Sequence, residues 1–170
     1  MTGFARRGLM TGLVAATALA QRDALGAPPM LKLPDLKKET EVACLYHCDF
    51  GDARRFSQML DNIRNHLEAY DFDTLSLKIV IVVHSAGIRF FLSDQAGTQW
   101  EKDPVPADFI GRMSALGGYG VQALLCAVTF KKNGLSQDRA RSDPWIRMVP
   151  SGVATVGALQ AKGFGYLKVG

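Results

Sequence analysis

Hydrophobic positions along the chain follow two different rhythms. In Val42–His47, Leu77–His84, Val121–Cys126 and Trp145–Val149 they run nearly unbroken over short stretches. Runs of that length, the second of them dense in β-branched residues, predict strands buried on both faces. Gly165–Val169 is a fifth, shorter strand. Between the first two runs the rhythm changes. Phe56, Met59, Leu60, Ile63, Leu67 and Tyr70 recur at spacings of three and four, with Arg54, Arg55, Asp61, Arg64 and Glu68 off that stripe. This is one apolar face of a helix, with Asp52 placed to cap it. A second helix covers Ala107–Leu116 and is stopped by Gly117-Gly118. A third starts after a Ser151 cap, runs through Ala161 and ends at Gly163. Ile88–Leu92 reads as a short helix, Asp94–Pro106 as a polar loop, and Lys131–Ser142 as a polar stretch holding a short helix.

Strands that alternate with helices in this way predict a single α/β domain, its five-stranded, mainly parallel sheet covered on both faces and linked by right-handed crossovers. The domain occupies residues 42–170. Residues 28–41, with three prolines and several charges, form a leader onto it.

Residues 1–27 have another character. Arg6 and Arg7 stand side by side ahead of Gly8-Leu9-Met10 and a weakly apolar stretch that reaches Ala20. A basic start, a short apolar middle and small residues at the end describe an export signal, and the paired arginines describe its twin-arginine form. Cleavage is expected after Ala20 or Ala27, and the mature protein in the periplasm. The stretch Leu9–Ala20 is too short to span a bilayer.

Composition narrows the function classes. With 170 residues, 48% of them hydrophobic and 21% charged, the chain is an ordinary globular domain. A net charge of +4, scattered along the chain, gives no footprint for nucleic acid. Three cysteines cannot build a disulfide framework.

In an open parallel sheet, ligands gather at the carboxyl ends of the strands. Cys48 and Asp49 close the first strand there, His84, Ser85 and Gly87 the second, and Cys126 the third. Cys126 is followed by the amides of a turn or helix start, and by Lys131 and Lys132, which favour a thiolate. Cys44 sits mid-strand as core filling. It is four residues from Cys48, about 13 Å, too far for a bridge. Cys48 at its strand's end reaches toward the cleft, and a Cys48–Cys126 dithiol needs those strand ends to be neighbours. His84, Ser85 and Lys131 are the remaining cleft residues. No His or Cys spacing matches a zinc motif, and His47 points away from Cys48, so no metal is expected. His66, on the first helix, reads as solvated or capping. Ser85 lacks the Gly-x-Ser-x-Gly elbow of a hydrolase. Gly117-Gly118-Tyr119-Gly120 precedes a strand instead of opening a helix, which is the wrong context for a phosphate loop.

The ordered set of segments resembles the DsrE/DsrF-like family. Val42-Ala43-Cys44-Leu45-Tyr46-His47-Cys48-Asp49-Phe50-Gly51-Asp52 is similar to its opening strand and turn, and Asn62–Leu67 to its first helix. Val82-Val83-His84-Ser85-Ala86-Gly87-Ile88 is similar to its second strand and glycine turn. Leu125-Cys126-Ala127-Val128-Thr129 resembles the cysteine-bearing segment, with Val149–Ala154 and Gly165–Lys168 completing the series. The resemblance implies a small three-layer α/β/α domain assembled as a homotrimer or homohexamer. It implies a sulfur carrier without cofactor, in which Cys126 holds sulfane sulfur as a persulfide. The implied partners are sulfur donor and acceptor proteins or small sulfane-sulfur compounds. The leading expectation is thus a periplasmic sulfur carrier in inorganic sulfur metabolism. A non-catalytic oligomeric binding module and a thiol–disulfide protein using Cys48 and Cys126 are the alternatives. Phe90, Phe91, Trp100 and Phe109 are candidates either for the subunit contact or for the core.

Overall fold

The computed structural model describes residues 26–170, so the paired arginines and the apolar stretch of the export-signal reading lie outside the described residues. Five strands form one sheet: β1 (Val42–Cys48), β2 (Leu77–Val83), β3 (Gln122–Cys126), β4 (Ile146–Val149) and β5 (Gly165–Leu167). Their order is β4-β3-β2-β1-β5, and every ladder between them is parallel. The helices are α1 (Ala53–Glu68), α2 (Ala107–Gly118), α3 (Ala127–Lys132) and α4 (Gly152–Ala161). This is the α/β architecture expected from the alternating hydrophobic rhythms.

Alternation along the strands sorts side chains into two cores. On one face Tyr46, Ile79, Ile81, Val83 and Leu125 pack against Phe56, Met59, Leu60, Ile63 and Leu67 of α1 and Phe109 and Met113 of α2. Phe56 stacks on Phe90 with ring centroids 4.0 Å apart. On the other face Leu45, Val80, Val82, Leu124 and Val149 pack against Leu159 of α4, with Leu36 and Phe164. Asp52 caps α1 by accepting a hydrogen bond from the Arg55 N–H at 2.8 Å.

Several sequence expectations are corrected here. Phe90, Phe91, Trp100 and Phe109 are all buried within the chain, so they fill its core and leave nothing for a subunit contact. The leader is part of the domain. The Leu31 N–H donates to Met148 O at 2.8 Å and the Met148 N–H to Pro29 O at 2.9 Å, which lays residues 29–31 along the edge of β4. Leu36 is buried in the smaller core. The short helix expected inside Lys131–Ser142 begins earlier, at Ala127, directly after β3. A 3₁₀ turn at Gln137–Arg139 is what remains within that stretch. Ile88–Leu92 falls largely in a 3₁₀ helix, Ser85–Phe91. Helix α2 continues through Gly117 and Gly118. Among the described residues no helix is long and apolar enough to cross a membrane.

Candidate functional site

The chain steps from β1 to β2, β3 and β4 in one direction, then returns through α4 to β5 on the far side of β1. The direction of winding therefore reverses at β1, and the carboxyl edge of the sheet beside such a reversal is where open α/β sheets bind ligands. Side chains that leave the strands there toward α4 are the natural candidates.

Strand parity selects them. His47 follows Tyr46, whose side chain enters the α1 core, so it shares the α4 face with Leu45. His84 has the parity of Val80 and Val82, and Cys126 that of Leu124. Because Val83 is paired with Leu125, the next step along both strands sets His84 beside Cys126. Tyr166 of β5 is paired with Leu45 and lies on the same side.

These side chains make a continuous polar row. The Nε2 atoms of His47 and His84 are 2.6 Å apart. Tyr166 Oη lies 2.8 Å from His47 Nδ1, and Ser85 Oγ lies 2.9 Å from His84 Nδ1. Every ring nitrogen of the pair thus has a partner. Both imidazoles are half-buried, and burial holds both below the ordinary histidine range, Asp49 acting in the opposite sense in each case. His84 is also lowered by His47 beside it.

The ends of two helices close the row. Ser151 caps α4, its Oγ accepting from the Ala154 N–H at 3.4 Å. Gly152, the first residue of α4, lies against the His84 side chain, and a Cβ added at Gly152 would come 2.8 Å from His84 Cβ. Ser85 has a φ of 51°, the left-handed region that non-glycine residues seldom enter. Its N–H donates to Thr129 Oγ1 on α3 at 3.2 Å, which ties the end of β2 to the helix that follows Cys126.

Among the sequence candidates, Cys126 closes β3 and stands at the N-cap of α3, 4% exposed. His84 and Ser85 sit beside it. Lys131 does not: it is exposed in the last turn of α3, at the opposite end of that helix from Cys126. Cys48 is not a cleft residue either. It points into the α1 core with no exposed surface, under Gly87. Burial pushes its thiol strongly up, and Asp49 adds to the rise. A Cys48–Cys126 dithiol is excluded by topology. Strand β2 lies between their strands, a separation of about 10 Å, and the two side chains leave opposite faces of the sheet. Cys44 is buried, and burial raises its thiol too, with Lys38 opposing. His66 sits beneath Tyr46, its Nδ1 3.2 Å from the phenol oxygen. From the sequence, His47 was weighed only as a metal ligand and set aside, and Tyr166 was not picked out. The parity of His47 with Leu45 was the available sign.

The DsrE/DsrF-like family model matches residues 52–169, most of the chain and all of the fold beyond β1 and its turn. The chain belongs to the DsrE/DsrF-like family. None of the curated proteins compared matches it. Among solved structures it is similar to a protein of unknown function, MTH1491, from Methanobacterium thermoautotrophicum. The TM-score is 0.61 at 23% identity, covering 75% of this chain and 99% of that one. That likeness shows a shared fold. Of the row at the sheet edge, His84, Ser85, Cys126 and Tyr166 fall inside the family match, and His47 precedes it.

Proposed function

We propose that the protein is an exported sulfur carrier of inorganic sulfur metabolism, working in the periplasm, with Cys126 as the carrying residue. Membership of the DsrE/DsrF-like family supports sulfur relay as the class of function. The observation that carries the assignment to Cys126 is its position: of the three cysteines it alone closes a strand on the face of His84 and α4. Cys44 and Cys48 are both pushed by burial away from the reactive thiolate.

The chemistry is an exchange of one sulfur atom. The Cys126 thiolate attacks the terminal sulfur of a persulfide or polysulfide donor. A new S–S bond forms at Cys126 while the donor's S–S bond breaks, and the donor leaves as a thiolate holding the bonding pair. An acceptor thiolate then attacks the outer sulfur of the Cys126 persulfide, and Cys126 is regenerated as the leaving thiolate. No external electrons enter either step. With little surface exposed, Cys126 receives small anionic polysulfides more readily than bulky donors. Handover to a protein acceptor requires that acceptor to dock at the carboxyl edge of the sheet.

Loading with polysulfide, followed by intact mass before and after reductant, tests the reading. Wild-type and Cys48→Ser proteins gain whole sulfur atoms that reductant removes, and Cys126→Ser does not. Sulfur gained undiminished by Cys126→Ser defeats the assignment. For location, a protein with Arg6 and Arg7 both changed to lysine stays in the cytoplasm. Sedimentation of the mature protein gives a trimer or hexamer, and a single monomeric species at micromolar concentration counts against that assembly.

A further inference from the structure

The geometry points to a metal site at the sheet edge: His47 and His84 form a two-histidine clamp for a first-row divalent ion such as zinc. Zinc binding at this site needs no sulfur carried on Cys126. Two ring nitrogens face each other. His47 Nε2 and His84 Nε2 are 2.6 Å apart, projecting from neighbouring strands. Their other nitrogens each meet a hydroxyl, Tyr166 Oη at 2.8 Å and Ser85 Oγ at 2.9 Å.

Two proton arrangements satisfy those contacts. In one, each group donates to the next in a head-to-tail chain, with a proton between the rings. In the other, each Nδ1–H donates outward to its hydroxyl, and both Nε2 lone pairs point into the same gap. Two facing lone pairs repel unless a cation lies between them. The second arrangement matches the way proteins hold metal-binding histidines, whose far nitrogen is fixed by an outer hydrogen bond that sets tautomer and ring orientation.

Size requires a small opening of the pair. Tetrahedral zinc with Zn–N bonds of about 2.05 Å sets its two nitrogens about 3.3 Å apart. The rings must part by roughly 0.7 Å from the observed spacing to admit it. His84 has little room, because Gly152 of α4 rests on it. The opening therefore falls to His47, partly exposed near the end of β1 beside the more exposed Tyr166. Among the described residues no third His, Cys, Asp or Glu stands close enough to complete a set of three. The bound ion keeps open positions for water or for an incoming anionic ligand.

Zinc titration of the full chain, followed by calorimetry and by imidazole ¹⁵N spectra, tests the site. The chain has three histidines, so His66 serves as an internal control. One zinc binds per chain, the Nε2 resonances of His47 and His84 move together, and those of His66 stay. Binding is lost in His47→Gln and in His84→Gln, and persists in Cys126→Ser and Cys44→Ser. Tyr166→Phe, which leaves both ligands in place, weakens binding about tenfold through loss of the outer hydrogen bond. The spectra of the unaltered protein decide the matter even if a histidine variant fails to fold. No zinc uptake, uptake that leaves both Nε2 resonances unmoved, or uptake that needs a cysteine overturns the site.

Discussion

Gly117 lies flat against the indole of Trp145, so close that a Cβ added at Gly117 would stand 2.3 Å from Trp145 Cδ1. Helix α2 and the residue leading into β4 touch with no room for a methyl group. Gly117→Ala therefore costs about 1–3 kcal/mol from overpacking, despite the better helix propensity of alanine. Gly111 in the same helix and Gly157 in α4 have open space where a Cβ would go. Gly111→Ala and Gly157→Ala gain about 0.5–1 kcal/mol each. Urea denaturation of the three variants should give opposite signs, and stabilisation by Gly117→Ala would refute the packing argument.

A second close approach lies beneath the site. A Cβ on Gly87 would fall 2.3 Å from the Cys48 carbonyl oxygen and 2.9 Å from its Sγ. Neither backbone nor buried thiol can withdraw. Gly87→Ala costs at least about 3 kcal/mol, at the upper end of overpacking penalties. The same enclosure shields the Cys48 thiol. Limiting iodoacetamide on the native protein leaves Cys48 unmodified, and mapping of the adducts checks it.

Tyr46 supplies an alkaline limit. Burial, with Cys44 adding to it, pushes its phenol up to about 12. The unfolded chain releases that proton near 10, so between about 10 and 12 the folded state holds more protons than the unfolded one. This stability is complete below pH 10 and is lost as the pH rises toward 12. Ultraviolet titration should show the Tyr46 phenol ionising late. Tyr46→Phe should flatten the alkaline arm of the stability profile.

Arg89 supplies an acid limit. Its guanidinium is buried, and it donates to Gly51 O at 2.9 Å and to Asp103 Oδ2 at 2.5 Å. The hydrogen bond and charge of Arg89 hold the Asp103 carboxyl below its usual range. A depressed carboxylate contributes stability above the ordinary aspartate pKa of about 3.9, lost as the pH falls through its lower folded value. Asp103→Asn should lower stability at neutral pH and weaken the acid dependence. An unchanged acid arm would show that other carboxylates dominate it.

The strands, the first helix and the layer order were legible because each depends on local rhythm. Ile79–Val83 is apolar throughout and lies in the centre of the sheet. The stripe from Phe56 to Leu67 covers one face of α1. The site was half legible. Cys126, His84 and Ser85 announce themselves by ending strands, and strand ends are local. The His47–His84 contact joins residues 37 apart in sequence. Only the parallel pairing of β1 with β2 brings them together, so no ligand spacing along the chain could reveal it. The exclusion of a Cys48–Cys126 bridge has the same origin, since it follows from strand order. Lys131 misled because sequence proximity to Cys126 becomes axial distance once the intervening residues wind into a helix.

The short extended segment Pro29–Leu31 gives the sheet a seal. β4 would otherwise present a row of unsatisfied donors and acceptors, a template on which another chain could grow. That vulnerable border is capped in cis by residues immediately following Ala27. Removal of residues up to that point would leave the seal intact, whereas trimming only a few residues deeper would strip it and open the β4 edge to pairing with another chain. If the chain is cut on export, as proposed, the sheet itself bounds how deep that cut can go.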